Sequence, residues 1–427
     1  MKTLLKNARI LTMKDNEDIF FGDIVVTDER ISYIGPKAKE DNYDKVIDCE
    51  QNLLMPGFKN AHAHSAMSFA RSCSDDLPLQ NWLNDCIFPM EGRLAADDQY
   101  ILSKVSIAEY LTSGITCCFD MYYNPLEMMQ ASLDTGFKTV LLGTVTRYRE
   151  SVPEMVEAYK TINGKNNNLV TYYLGFHAEY TALEEILVDL SKACHELKCP
   201  CYTHSSETPE EVKGCMERHN GMTPTEYMES LGLFDFGGGI FHGVALSDRD
   251  IEIFKKRNLS IVTCPGSNSK LASGIAPIDK YLKNGINLAI GTDGAGSNNA
   301  LDFFWEMRLA AVLQKLLNHD PTSGQALDIL KAATVGGSKA MNLKDADILA
   351  ENKFADIIMI DLQKPNMQPI NNIEKNIVYS GAKDDVKMTM INGKILYMNN
   401  EFFLDEPISD IYRKAQEITD RLRNPEK

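Results

Sequence analysis

Between residues 53 and 293 the chain alternates short apolar runs of strand character with segments of helical period, which points to a parallel β/α architecture. The strand-like runs fall at 53–61, 115–119, 139–144, 170–176, 201–203, 239–241, 259–263 and 287–291, with helical stretches such as 97–111, 183–197, 248–256 and 301–317 in the gaps. Eight such strands predict a closed (β/α)8 TIM barrel, which takes about 250 residues. An open doubly wound sheet would show fewer strands and, for a nucleotide cofactor, a Gly-x-Gly-x-x-Gly after the first; that motif is missing.

The chain ends read differently. Residues 3–55 and 355–404 are short extended runs separated by turn residues, including a hairpin at 387–398 with Asn392-Gly393 as its turn. Neither half can bury a sheet face alone, so both are expected to join in one small β-sandwich domain. The expected organisation is residues 1–55 as the N-terminal part of the sandwich, 56–343 as the barrel, and 344–427 as the C-terminal part with an amphipathic helix at 408–422.

Composition narrows the partners. With 44 basic against 60 acidic residues the net charge is −16, which argues against a nucleic-acid or anionic membrane surface and for a small, weakly charged ligand. The ten cysteines are scattered without a Cys-x-x-Cys pair, and no apolar stretch is long enough to cross a membrane. Lys6 and Arg9 interrupt the first apolar run before a signal-peptide core could form, so the expected location is cytoplasmic.

The predicted strand ends carry the chemistry. His62 and His64 follow strand one, His177 strand four, His204 strand five, His242 strand six and Asp293 strand eight. In a (β/α)8 barrel these ends form the mouth, so the six side chains converge. On a strand, His62 and His64 at i and i+2 point to one face and can share a metal; N/O donors without sulfur suit Zn²⁺ or Fe²⁺. Glu207 follows His204 by three residues, within reach of a bound substrate, although it also stands where it could cap a helix. Asp293, flanked by small residues in Gly-Thr-Asp-Gly, fits a ligand and proton acceptor. His195, His219 and His319 fall in helix or loop. P-loop, nucleophile-elbow and His-Glu-x-x-His signatures are missing.

Five segments, Pro56-Gly57-Phe58-Lys59-Asn60-Ala61-His62-Ala63-His64, Asp76-Leu77-Pro78-Leu79-Gln80-Asn81-Trp82-Leu83, His204-Ser205-Ser206-Glu207-Thr208, 264–274 and 291–299, together resemble the amidohydrolase superfamily, and within it the 5'-methylthioadenosine/S-adenosylhomocysteine deaminase branch. The resemblance implies one divalent metal per chain, Zn²⁺ ahead of Fe²⁺, held by His62, His64, His204 and Asp293. It implies hydrolytic deamination of an adenine nucleoside (5'-methylthioadenosine, S-adenosylhomocysteine, adenosine or 5'-deoxyadenosine) to the inosine analogue and ammonia. Glu207 would carry a proton to N1 of the ring, His242 would orient the attacking water, and Asp293 would accept that water's proton. Glu91 resembles the ribose-hydroxyl acceptor, His177 a contact to the purine, and Trp82 a wall near the ribose. Arg147 and Arg149 are the arginines available after strand three for an amino-acid carboxylate, and a homo-oligomer is common among such proteins. Deaminases of guanine or of pterins share much of the motif set, triazine hydrolases less aptly; a non-catalytic scaffold would be expected to have lost ligands that this chain keeps.

Overall fold

A computed structural model describes residues 1–73, 75–77 and 81–423, the side chains of Trp82 and Leu83 excepted. Eight parallel strands form the barrel in chain order: Phe58–His64, Ile115–Met121, Lys138–Leu142, Val170–Ala178, Cys201–Ser205, Gly238–His242, Ser260–Thr263 and Asn287–Ile290. Closure is made by residues 287–294: Asn287–Ile290 pairs with the seventh strand, and Asp293–Gly294 pairs with Ala63 and His64 of the first. The barrel is filled by Ala61, Phe119, Val140, Leu142, Tyr202, Phe241, Val262 and Ala289, which form one buried cluster. Helices Ala96–Thr112, Glu184–Leu197, Asp248–Arg257 and Phe303–Asn318 lie where helical period predicts them, within two residues at each end.

The run at 53–61 divides. Leu53–Pro56 belongs to the sheet of the chain ends, pairing in parallel with Lys2–Ile10 and antiparallel with Ile357–Ile360, whereas Phe58–His64 is the first barrel strand. All four residues of Leu53–Pro56 are buried, as is every residue from Phe58 to Ala63, so no exposed position on either side of Gly57 marks the passage from one sheet to the other. Gly57 makes the join, because a Cβ there would lie 2.0 Å from the Thr116 methyl.

The chain ends form one nine-stranded mixed sheet rather than two separately bonded layers. It encloses its own core, in which Ile31 and Met390, far apart in strand order, belong to the same cluster. The hairpin turns close together: a Cβ on Gly393 would lie 2.0 Å from the Asp28 carbonyl. A buried ion pair, Lys138 Nζ to Asp356 Oδ2 at 2.5 Å, ties the start of the third barrel strand to this sheet. The last described element, Ile408–Arg423, is the expected terminal helix and packs on Ala96–Thr112.

Candidate active site

The six strand-end residues share one mouth, and local backbone features put them there. Ala61 belongs to the barrel's central cluster, and His62, the next residue, also faces inward, stacking on Phe241 at 3.8 Å. A register shift against the second strand between Asn60 and Ala63 permits this, since a bulge undoes strict alternation. His242 and Asp293 have φ of +73° and +60°, left-handed conformations that only a well-determined surrounding holds for such side chains. Gly291 is required by close approach, because a Cβ there would meet His62 Cβ at 2.6 Å and its backbone nitrogen at 2.8 Å.

His62, His64, His204 and Asp293 each offer a donor atom, all within 4.8 Å of one another. His64 Nδ1 donates to the Met121 carbonyl at 2.6 Å and His204 Nδ1 to the His177 carbonyl at 2.7 Å, so both turn Nε2 to the centre. Asp293 Oδ2 accepts from the hydroxyls of Ser267 at 2.6 Å and Ser297 at 2.9 Å, and Oδ1 faces His64 Nε2 at 3.2 Å and His62 Nε2 at 3.4 Å. His62 is fully buried, yet neither ring nitrogen has a hydrogen-bond partner. A buried imidazole in that state is costly unless a cation meets it, and the borderline N/O donor set fits a divalent metal. Burial pushes His62 down to about 3, and burial with the neighbouring imidazoles holds His204 well below its usual range; both rings are neutral, as ligands must be. At Asp293 burial is outweighed by His62 and His64, so the carboxylate stays ionised.

A second group of possible ligands, Glu179, Cys215 and His219, is taken up otherwise. Arg218 donates to both oxygens of Glu179, and His219 Nε2 bonds Oε1 at 2.8 Å. That carboxylate is already satisfied.

A cavity of about 110 Å³ opens onto the first cluster, lined among others by Glu207, His242, His177, Glu91, Tyr122, Tyr180 and Phe88. His242 Nδ1 is held by Asn268 Oδ1 at 2.9 Å, and Nε2 lies 3.9 Å from Glu207 Oε2. Burial opposes charge on His242, but Glu207 and Asp293 outweigh it and raise its pKa. Glu207 does not cap the helix that follows. Thr208 does so, accepting from the Glu211 amide, and Glu211 in turn accepts from the Ser206 and Glu207 amides at 2.9 and 2.8 Å. The Glu207 carboxylate is left facing the cavity, with the Ser273 hydroxyl at 3.3 Å.

Glu91 ends the short helix Phe88–Glu91 and is 8% exposed at the cavity wall. Arg147 and Arg149 are not brought to this cavity: both are exposed, Arg147 over the ring of Tyr148 and Arg149 over Tyr123 at 4.8 Å. Trp82 begins a helical turn, Trp82–Ile87, but its side chain lies outside the described residues. Tyr122, Tyr123, Thr144 and Tyr180 line the cavity without having been singled out in the sequence, where aromatic residues after apolar strands read as core.

Residues 53–396 match the model of the amidohydrolase family. Over nearly their full lengths, the chain is 35% identical to a 5-methylthioadenosine/S-adenosylhomocysteine deaminase of Thermoanaerobacter pseudethanolicus (99% of this chain, 100% of that one). It is 35% identical to a 5'-deoxyadenosine deaminase of Methanobrevibacter smithii, covering 99% of each. Among solved structures it is similar to an adenosine deaminase from Xanthomonas campestris with bound zinc, with a TM-score of 0.93 and 27% identity over 99% of this chain and 98% of that one. The chain belongs to the amidohydrolase family.

Proposed function

We propose that this protein is a metal-dependent aminohydrolase that converts adenine nucleosides to their inosine analogues and ammonia. The observation that carries this reading is one cavity lined by His64, His204 and Asp293 of the four-donor cluster together with Glu207, His242 and the buried Glu91. The named activities of the full-length relatives support it. His62, His64, His204 and Asp293 would hold one divalent ion, zinc ahead of iron, in keeping with the donor set and the zinc-bound neighbour. When bound, the ion acidifies a water molecule and so supplies a nucleophile near neutral pH.

The residues of the chain then divide the work. Asp293, its Oδ2 fixed by two serine hydroxyls, takes up a proton of the attacking water through Oδ1. Water oxygen bonds to C6 of the purine while Glu207 delivers a proton to N1; the C6–N bond then breaks, the exocyclic nitrogen leaves as ammonia with the proton from Asp293, and the second water proton passes from the C6 oxygen to Glu207, which leaves the carbonyl and restores the acid. His242, oriented by Asn268, presents Nε2 to the negative charge that develops on the attacking oxygen. His177, whose pKa burial pushes down to about 4, stays neutral and can contact the purine. Glu91 accepts from the ribose hydroxyls.

The 5' end is best served by an uncharged substituent. Among the described residues no lysine or arginine lines the cavity. This favours 5'-methylthioadenosine and 5'-deoxyadenosine over substrates with a carboxylate or phosphate there. Two further readings complete the proposal. The protein is cytoplasmic, in keeping with ten free cysteines, and homo-oligomeric, in keeping with Trp305, Val312 and Leu316 exposed along one helix face. Ammonia release measured across adenine nucleosides and free purine bases tests the reading.

A further inference from the structure

We propose that Tyr122 is a positioning residue that fixes Glu91 as an acceptor for the ribose hydroxyls, so that selection of a ribonucleoside depends on the Tyr122–Glu91 pair; the proposal rests on the adenine-nucleoside reading above. Tyr122 follows the second barrel strand, Ile115–Met121, and its hydroxyl donates to Glu91 Oε1 at 2.6 Å. Both residues line the cavity and both are nearly buried, Tyr122 at 4% and Glu91 at 8% exposure.

The chemistry of the pair sets what each oxygen can do. A phenol has one proton, and here it is given to a carboxylate in a short, charge-assisted bond. That bond occupies Oε1 and sets the plane of the carboxylate; among the described residues no group donates to Oε2, which is left for a ligand. Burial raises the pKa of Glu91 above its ordinary value, and the Tyr122 hydroxyl, Arg149 and His64, in that order, oppose the rise. Tyr122 is itself held, its ring 5.3 Å from that of Tyr123, which carries Arg149 on its face. Other buried tyrosines give their hydroxyls to a backbone carbonyl, as Tyr202 does to Ala340 and Tyr281 to Gly243, or to a carboxylate away from the cavity, as Tyr172 does to Glu150; Tyr122 lines the cavity and bonds a carboxylate that lines it too. The carbonyl of the preceding residue, Met121, orients His64. Two adjacent residues therefore align a proposed metal ligand and the ribose acceptor relative to each other.

The test compares an adenine ribonucleoside with its 2'-deoxy counterpart in wild-type enzyme, Tyr122→Phe, Glu91→Gln and the double variant, with metal content and melting temperature measured on each. Tyr122→Phe is expected to raise KM for the ribonucleoside about tenfold, the loss of one hydrogen bond to a charged group, with kcat changed less than about twofold. KM for the 2'-deoxy substrate should stay near the wild-type value, and the double variant should be no worse than Glu91→Gln. Equal losses on both substrates, or an unchanged KM for the ribonucleoside, would overturn the proposal while leaving the deaminase reading intact. A wild-type enzyme that deaminates both substrates equally well would remove Glu91 as ribose acceptor, and the proposal with it.

Discussion

His64 Nε2 and His204 Nε2 face each other at 3.2 Å, and each ring has already given its Nδ1 proton to a backbone carbonyl. Two lone pairs that close repel unless a positive charge stands between them, and Asp293 Oδ1, 3.2 Å from His64 Nε2, adds a negative one. A divalent cation meets all three donors and the orphaned His62 at once. Asp293→Ala is therefore expected to lose most of its bound metal, by elemental analysis, and all measurable turnover. Full metal content with wild-type rates would remove Asp293 from both roles.

Glu207 faces the cavity without ligating, so its removal should spare the metal and damage the chemistry. Glu207→Gln is expected to keep one equivalent of metal and to lower kcat by about 10²- to 10⁴-fold, the usual worth of a positioned proton carrier. A kcat within a few-fold of wild type would assign the proton transfer to another group.

Arg147 and Arg149 are exposed and outside the cavity lining, so among the described residues a 5'-carboxylate meets no cationic side chain of the cavity wall. An anion entering beside Glu91, Glu207 and Asp293 also meets three carboxylates, only partly neutralised by a divalent ion. We expect kcat/KM for S-adenosylhomocysteine and adenosine 5'-monophosphate to lie at least about tenfold below that for 5'-methylthioadenosine, a difference of about 1.4 kcal/mol. Equal values would mean that the arginine loop reaches the substrate after all.

Behind the site, Glu306 is fully buried and accepts from the Gly266 amide and the Asn298 side chain, both at 2.8 Å. Burial pushes its pKa up to about 8, whereas an unfolded glutamate titrates near ~4.3. Between those values the folded chain holds a proton that the unfolded chain has released. This contribution to stability is complete below the unfolded pKa and is lost as pH rises towards 8, at up to about 1.4 kcal/mol per pH unit. Glu306→Gln should flatten the dependence of the urea midpoint on pH between pH 5 and 8; an unaltered slope would place the linked proton elsewhere.

The strand-end histidines were legible because a barrel converts a one-dimensional regularity, an ionisable residue at each strand's C-terminal end, into a common location. Glu207 was legible as a residue just past such an end. Ser267 and Ser297, which hold Asp293, were not, since a serine carries no sign of which oxygen it serves. Glu306 was not, because its loops are brought to it by the seventh and eighth strands from 40 and 8 residues away. The passage between sheets at Gly57 was hidden by burial on both sides of it. The cavity's tyrosines were hidden by their kinship to core residues; only the hydroxyl's partner distinguishes Tyr122 from Tyr202.

Ammonia released from 5'-methylthioadenosine by purified enzyme of known metal content is the decisive measurement of metal-dependent deamination. One ammonia and one 5'-methylthioinosine are expected per substrate consumed, at about one metal per chain, with activity lost on chelation and restored by zinc. An enzyme that holds its metal and releases no ammonia from 5'-methylthioadenosine, 5'-deoxyadenosine or adenosine would contradict the deaminase reading.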